Sequence, residues 1–443
     1  MTDYWKKEIE CMDRAELEKI QLKLTQGMIK RCYDNVPFFK RKFSEKGLTP
    51  EDLKTLKDLQ KFPLVQKNDL RDNYPYGLFA EPISNVIRIH ASSGTTGKPI
   101  LGGYTKHDVH NVFAECVARS LVASGIHTGD IIQNAYRYGL FTGGLGIHYG
   151  AELIGACVVP ISGGNTDRQL MLMQDFGATA ITCTPSYMVF LAEEINRRKL
   201  DRSKIKLRVG IHGAEPWSEK MREKIESLMP GMMAVDIYGL TEIIGPGVSN
   251  NCIENRYQGL HVWEDHFLPE TLDPEHDFEP VAPGEKGEIV FSTLSREATP
   301  LPRYRAKDIT RLNYEKCICG RTHCRHDKIT GRTDDMLIIH GINVFPSQIE
   351  AILMEMPELG GYYEIVIDRK ELGALDKVVI RIELNDKTFS DKIKDLEAFT
   401  KHVADRLYST LLFHAKVELV APGTIPRSEG KAKRVVDLRK DKI

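Results

Sequence analysis

The sequence predicts an α/β protein: a large multi-sheet N-terminal domain with βα units, followed by a small α+β C-terminal domain. Three observations carry this. At 443 residues the chain is too long for one hydrophobic core and fits a large domain plus a smaller one. Short apolar runs at 86–90, 131–135, 156–161, 180–184, 209–212 and 235–238 alternate with helical stretches such as 107–124 and 218–228, the pattern of βα units on a largely parallel sheet. Beyond about residue 334 the character changes, with a short helix at 346–356, strands at 363–367 and 378–383, a long helix at 389–410 and a strand at 416–420.

Taken in order, residues 1–75 are amphipathic and helical; in 15–33, Leu17, Ile20, Leu24 and Met28 recur three or four apart. Several of the strands that follow end in glycine or polar residues, where open α/β sheets hold ligands beyond their carboxyl ends. After Gly287 the chain turns strand-like at 288–293 and 308–313, and 329–339 leads into the small domain. A tail rich in Gly, Pro and Ser, 422–431, follows the last strand. The expected domains are therefore 1–333 and 334–443.

The formal charge of −1 offers no electrostatic footprint for nucleic acid or an anionic membrane. The start, MTDYWKKEIE, lacks the apolar core of a signal peptide. The most apolar region, 138–166, is interrupted by Glu152 and by glycines, so it predicts no membrane span. A cytoplasmic location, without nucleic-acid or membrane partners, is the default. In that compartment the nine cysteines argue against disulfides. Cys11, Cys32, Cys116, Cys157 and Cys183 sit among apolar residues and read as small buried hydrophobes.

A dense set of hydroxyl donors and glycines occupies Ser92-Ser93-Gly94-Thr95-Thr96-Gly97-Lys98, between two apolar runs. Glycine lets backbone N–H groups approach anionic oxygens closely, so the chemistry suits phosphate. The spacing is not that of the NTPase P-loop, because the glycines stand two residues apart and proline follows the lysine. Such a loop alone is more often a plain turn.

It does not stand alone. The segment 92–99 resembles the signature loop of the adenylate-forming superfamily of acyl-CoA ligases, luciferases and peptide-synthetase adenylation domains. Tyr238-Gly239-Leu240-Thr241-Glu242 resembles the second signature of that superfamily, Tyr304-Arg-Ala-Lys-Asp308 its ribose-binding segment, Gly331-Arg332-Thr-Asp334 its interdomain hinge, and Pro426-Arg-Ser-Glu-Gly-Lys431 its terminal catalytic loop. Within the superfamily, the stretches 212–217, 259–266 and 342–350 are similar to the phenylacetate–CoA ligase family.

The resemblance implies an ATP-dependent ligase that forms an acyl-adenylate and then a CoA thioester, releasing pyrophosphate and AMP. Ser92 to Lys98 would grip the leaving pyrophosphate; Glu242 would hold Mg²⁺, a hard cation suited to carboxylate and phosphate oxygens; Thr241 would bond the α-phosphate. Asp308 would clasp the ribose hydroxyls. Adenine would lie against Gly213, Ala214, Glu215 and Tyr238, with Asp236 near its amine; Gly239 would also line the nucleotide site, and Arg332 would contact phosphate or ribose. Lys431 would bridge the carboxylate and the α-phosphate as charge builds, and the small domain would swing about Asp334 between the two half-reactions. Phenylacetate or a related arylacetic acid is the implied substrate. Tyr136, Phe141, Gly143 and Ala214 are candidates for its pocket, combining aromatic walls with space for a flat ring; such a stretch also occurs as ordinary core. Two other functions remain at this point: an adenylyltransferase acting on a deazaflavin cofactor, and a nucleotide-binding relative without turnover. A homodimer is the default oligomer.

The remaining cysteines are concentrated in Cys317-Ile-Cys319-Gly-Arg-Thr-His-Cys324. A C-x-C pair needs two further ligands to complete a zinc site, and Cys252 and His261 are the candidates, with Cys324 the alternate. Structural Zn²⁺, reduced thiols and an iron–sulfur cluster are the competing readings. A catalytic metal is not expected there, since adenylation already employs Mg²⁺.

Overall fold

A computed structural model describes residues 3–92, 98–335, 337–339, 342–368, 376–385, 393–427 and 434–439. By its internal contacts the chain forms two units, Met1–Cys183 with Arg198–Ala214 and Gly231–Lys328, and Thr184–Arg197 with Glu215–Pro230 and Ile329–Ile443.

The first unit opens with helices. Arg14–Asn35 starts where the Asp13 side chain accepts from the Ala15 N–H, and it buries a stripe of Leu17, Gln21, Thr25, Met28, Ile29 and Cys32. This stripe joins a core that includes Phe39, Phe43, Phe62, Tyr104, Phe113 and Trp263. The predicted βα region forms a nine-stranded sheet. Five of its strands are parallel, in the spatial order Cys157–Val159, Ile131–Asn134, Ala180–Cys183, Val209–Gly213, Met233–Leu240. The chain runs from Ile131–Asn134 outward to Cys157–Val159 and then back across to Ala180–Cys183, so the winding direction reverses between these strands. In open α/β sheets such a reversal is where ligands bind, beyond the strands' carboxyl ends.

The sheet continues antiparallel through Gly245–Asn250, Leu260–Val262, Arg325–His326 and Leu312–Asn313. Periodicity did not announce this half: the strands are short and two of them contain only two residues. A further antiparallel set pairs Phe267–Leu272, Gly287–Thr293 and Tyr304–Thr310. The helix expected at 107–124 is present, but it runs as a π-helix over Asp108–Phe113 before continuing as Ala114–Ala123. Of the scattered cysteines, Cys32, Cys116 and Cys183 are buried as expected, whereas Cys157 is exposed and Cys11 half-buried. Cys157 opens a strand on the sheet's outer edge, where one side has no neighbouring strand to cover it.

The second unit is built on the strand order Lys416–Val420, Lys377–Leu384, Leu359–Asp368, Val435–Asp437. Helices Pro346–Met354 and Ile393–Leu411 cover a core of Ile349, Leu353, Ile365, Ile380, Val403 and Leu407. Its boundary falls at Ile329, ahead of the expected 334, and it also takes in helices Pro185–Arg197 and Glu219–Leu228. The physical reason is side-chain bonding: Lys224 Nζ donates to the Gly360 carbonyl at 2.6 Å, and the Tyr362 hydroxyl donates to Glu193 at 3.0 Å. No helix among the described residues is long and apolar enough to cross a membrane.

Candidate active site

Strand Met233–Leu240 delivers the central residues. Its end turns sharply into Gly245–Asn250, and a Cβ on Gly239 would stand 1.8 Å from the Gly245 carbonyl oxygen, so only glycine permits the two strands to approach. The turn places Thr241 and Glu242 side by side, both nearly buried. Thr241 Oγ1 lies 3.4 Å from Thr142 Oγ1, and the Glu242 carboxylate lies 3.8 Å from Lys67 Nζ. A nearly buried carboxylate with so loose a partner retains oxygen lone pairs for a hard cation.

Asp308 comes from an inner strand of a different sheet. In Tyr304–Thr310 burial alternates, with Tyr304, Ala306, Asp308 and Thr310 on the inner face, so a carboxylate occupies a position that the pleat normally gives to an apolar residue. The Tyr238 hydroxyl donates to Asp308 Oδ2 at 2.6 Å, bringing together two segments 70 residues apart. The Tyr238 ring lies against Phe291 and meets the His326 ring edge-on at 5.2 Å. Burial pushes the His326 imidazole below its ordinary pKa. The neutral ring fits its two bonds, Nδ1–H donating to the Asp327 carbonyl at 2.7 Å and Nε2 accepting from Ser249 Oγ at 2.6 Å. Asp236 is held through its backbone: its N–H donates to Asn251 Oδ1 and its carbonyl accepts from the Asn251 N–H, both at 3.0 Å.

Gly213 ends strand Val209–Gly213, and Ala214 follows with φ +69°, a left-handed conformation uncommon outside glycine. Glu215 belongs to the second unit, where it accepts from the Ser186 N–H at 2.8 Å. Ser92 lies just after strand Arg88–Ala91, with its N–H donating to Ile100 O at 2.9 Å; Lys98 is exposed, its ammonium over the Tyr74 ring. Ser93, Gly94, Thr95, Thr96 and Gly97 lie outside the described residues, as does Lys431. In the second unit Arg332 Nε donates to Asp334 Oδ1 at 3.0 Å.

Tyr136, Phe141 and Gly143 do come together. Tyr136 rises from the strand at the winding reversal, and its hydroxyl donates to the Cys183 carbonyl at 2.9 Å across the neighbouring strand end. Phe141, 40% exposed, lies over Gly143, whose added Cβ would stand 3.0 Å from the ring. Residues that the motifs did not flag also converge here: Thr142, Lys67 and Arg296, whose guanidinium donates to the Glu242 and Ile243 carbonyls. None belongs to a spacing pattern, so only folding reveals them.

On the antiparallel edge of the nine-stranded sheet, Cys252, His261, Cys317 and Cys319 are all buried, and one donor atom from each falls within 4.8 Å of the others. Cys252 Sγ and Cys317 Sγ are 3.7 Å apart; Cys319 Sγ and His261 Nε2 are 3.5 Å apart. A tetrahedral Zn²⁺ with Zn–S of about 2.3 Å and Zn–N of about 2.0–2.1 Å has S–S edges of roughly 3.8 Å and S–N edges of roughly 3.5 Å. The donor set fits that ion. His261 Nδ1 faces the His323 carbonyl at 3.3 Å, which turns Nε2 toward the sulfurs, and Asn255 Nδ2 donates to Cys317 Sγ at 3.4 Å. Cys324, the alternate, is outside the group: it is fully buried and its N–H donates to Glu264 Oε2 at 2.5 Å. A second group, Glu115, Asp265 and His266, is threaded by Arg119 and Lys6 and forms an ion-pair network.

Comparison with known proteins identifies the family. Residues 24–295 match the AMP-binding enzyme family and residues 341–439 the AMP-binding enzyme C-terminal domain. The chain is 48% identical over 446 residues to phenylacetate-coenzyme A ligase of Thermus thermophilus, covering 98% of this chain and 99% of the relative. It is 47% identical to that of Escherichia coli, with 97% of each chain covered. Among solved structures, 2-hydroxyisobutyryl-CoA ligase in the postadenylation state in complex with R3-HIB-AMP superposes with a TM-score of 0.92 at 31% identity, covering 99% of this chain and 93% of the other. Full-length agreement with enzymes that make CoA thioesters favours ligation over transfer of an adenylyl group to a deazaflavin, and over a binding protein without turnover. The chain belongs to the AMP-binding enzymes, in the phenylacetate–CoA ligase family, and is an AMP-forming acid–CoA ligase.

Proposed function

We propose that the acid is an arylacetate, with phenylacetate the first candidate. The likeness to phenylacetate-coenzyme A ligases supports the acid, and the Tyr238–Asp308 hydrogen bond, which ties a buried carboxylate to the strand leading into the Thr241–Glu242 turn, supports the nucleotide site. Asp308, acceptor-only, is suited to the two ribose hydroxyls, while Tyr238, Gly213, Ala214 and Glu215 would border adenine, with Asp236 near its amine. Glu242 would hold Mg²⁺, which neutralises phosphate charge as it develops. Thr241 would donate to an α-phosphate oxygen, and the 92–98 loop would bind the β- and γ-phosphates.

In the first half-reaction a carboxylate oxygen attacks the α-phosphorus, the bond to the bridging oxygen breaks, and pyrophosphate leaves. Lys431 would stabilise the charge shared by carboxylate and phosphate. In the second, the CoA sulfur attacks the acyl carbon, AMP leaves, and the thiol proton passes to solvent. One site cannot present Lys431 and admit CoA at once, so the second unit would reorient about Asp334, with Arg332 beside the nucleotide. Tyr136, Phe141, Gly143 and Ala214 would form the aryl pocket; its aromatic walls and missing side chains favour a flat ring over a branched aliphatic acid. One structural Zn²⁺, held by Cys252, His261, Cys317 and Cys319, would brace strand Arg325–His326 and so the wall on which Tyr238 rests.

Exchange of labelled pyrophosphate into ATP across a panel of aryl and alkyl acids tests the substrate, with mass spectrometry of the thioester after CoA is added. Phenylacetate-dependent exchange and phenylacetyl-CoA are expected. Preference for short aliphatic acids would overturn the aryl assignment.

A further inference from the structure

We propose that Arg296 is a positioning residue for adenylation: a buried cation that holds the magnesium-binding turn and biases the site toward polyphosphate. The proposal rests on the reading of Glu242 as the magnesium ligand.

Arg296 is 2% exposed. Its Nη1 donates to the carbonyls of Glu242 and Ile243, each at 2.6 Å, and its Nη2 to the carbonyl of Gly103 at 3.1 Å. The guanidinium carbon sits 4.8 Å from the Tyr104 ring centroid, and the Tyr104 hydroxyl donates to the Ile244 carbonyl at 2.7 Å. One side chain thus ties the backbone of the turn that carries Glu242 to strand Leu101–Tyr104, the strand that follows the 92–98 loop. Room for it depends on Gly102, where an added Cβ would stand 2.8 Å from Arg296 Nη2.

The charge is the informative feature. Several buried guanidinium groups in this unit have carboxylate partners: Arg119 has Glu115 and Asp265, Arg321 has Glu10, and Arg303 has Glu270, whereas Arg325, like Arg296, bonds backbone carbonyls, those of Gln258 and Glu315, far from the Glu242 turn in sequence. Among the described residues, Arg296 has hydrogen bonds only to backbone carbonyls, and its Nε has no partner. A neutral amide could bond carbonyls without the penalty of burying a charge. A cation retained there, in a low-dielectric setting behind the turn, adds a fixed positive potential that requires no reorganisation when ATP arrives. Its effect is exerted through Glu242 and through the field, so it should appear in magnesium and nucleotide affinity and spare the acid.

The test compares Arg296→Gln, Arg296→Lys and Gly102→Ala with wild type in carboxylate-dependent pyrophosphate–ATP exchange, titrating Mg²⁺, ATP and acid separately. Arg296→Gln is expected to raise the Mg²⁺ requirement and the KM for ATP by about 10- to 100-fold, the range for losing a group that orients a metal ligand, with the KM for acid nearly unchanged. Arg296→Lys keeps the charge and three donors for three carbonyls, and should recover most of the affinity. Gly102→Ala leaves Arg296 in the chain but displaces it, and should shift Mg²⁺ and ATP in the same direction; it carries the test if the glutamine variant does not fold. A glutamine variant with wild-type Mg²⁺ and ATP dependence, a lysine variant as impaired as the glutamine one, or an unaffected Gly102→Ala would each overturn the proposal. If wild type itself shows no carboxylate-dependent exchange, the reading of Glu242 fails instead.

Discussion

Replacing Cys317 by serine tests the zinc assignment and its structural purpose together. Cys317 Sγ is 3.7 Å from Cys252 Sγ, and the two residues are 65 apart in the chain. A bound ion joining them acts as a cross-link on the unfolded chain. Closing a loop of that length corresponds to about 4 kcal/mol in the chain-entropy model. An ion that binds only the folded state contributes a similar amount, roughly 4 kcal/mol, when free metal exceeds its dissociation constant about a thousandfold. At about 2 °C per kcal/mol for a unit of this size, Cys317→Ser should melt roughly 8 °C lower than wild type. The assay is elemental analysis of protein purified without chelator, paired with thermal unfolding before and after chelation. Wild type should carry about one zinc per chain, and the serine variant little. The mutation and the chelator should not add, because both remove the same ion. The reasoning is refuted if metal-free wild-type protein melts where untreated protein does, or if Cys317→Ser keeps a full complement of zinc. Iron with acid-labile sulfide in place of zinc would overturn the choice of ion.

Other predictions concern chemistry and pH. Glu242→Gln should raise the Mg²⁺ requirement for exchange sharply, by about 10²-fold or more in rate at fixed metal, since a preorganised charge at the reacting phosphate is lost; an unchanged titration removes Glu242 from the site. Lys431→Ala should lose about 10²–10³ in the rate of acyl-adenylate formation, yet still convert supplied acyl-adenylate to thioester when CoA is added. Equal loss of both steps would count against reorientation about Asp334. For acid stability, burial alone would raise the Glu115 carboxyl, but hydrogen bonds from His266 and Lys6 and the charges of Arg119 and His266 outweigh it and hold the group at about 2. Asp265 is likewise held far below its ordinary value, against burial, by His266 and Arg119. Depressed carboxylates contribute stability that is present above the ordinary carboxylate range and lost as pH falls through the folded-state values. The melting temperature should therefore drop between about pH 4.5 and pH 2. Glu115→Gln should flatten that slope, and a slope identical to wild type would show that the network does not control acid unfolding.

Much of the site is local in sequence and was legible there. Thr241 and Glu242 are consecutive, and strand Met233–Leu240 was announced by its apolar run at 235–238. The small domain's strands and helices follow from periodicities of two and of three to four residues, which arise from contacts within each element. Even the grouping of Cys252, His261, Cys317 and Cys319 was accessible, because a C-x-C pair calls for two further soft donors and few are at hand.

Other features depend on residues far apart in the chain. Cys324 stands outside the Cys252–His261–Cys317–Cys319 group although it follows Cys319 closely, and its N–H donates to Glu264, 60 residues away. The pairing of Tyr238 with Asp308, the inclusion of helices Pro185–Arg197 and Glu219–Leu228 in the second unit, and the anchoring of the Glu242 turn by Arg296 leave no periodic trace. The sequence by itself determined the chemistry available, through which donors, carboxylates and glycines stand at the ends of which strands. The tertiary structure alone decided which of them meet, because partners tens to hundreds of residues apart are selected by packing and by the need to satisfy buried polar groups.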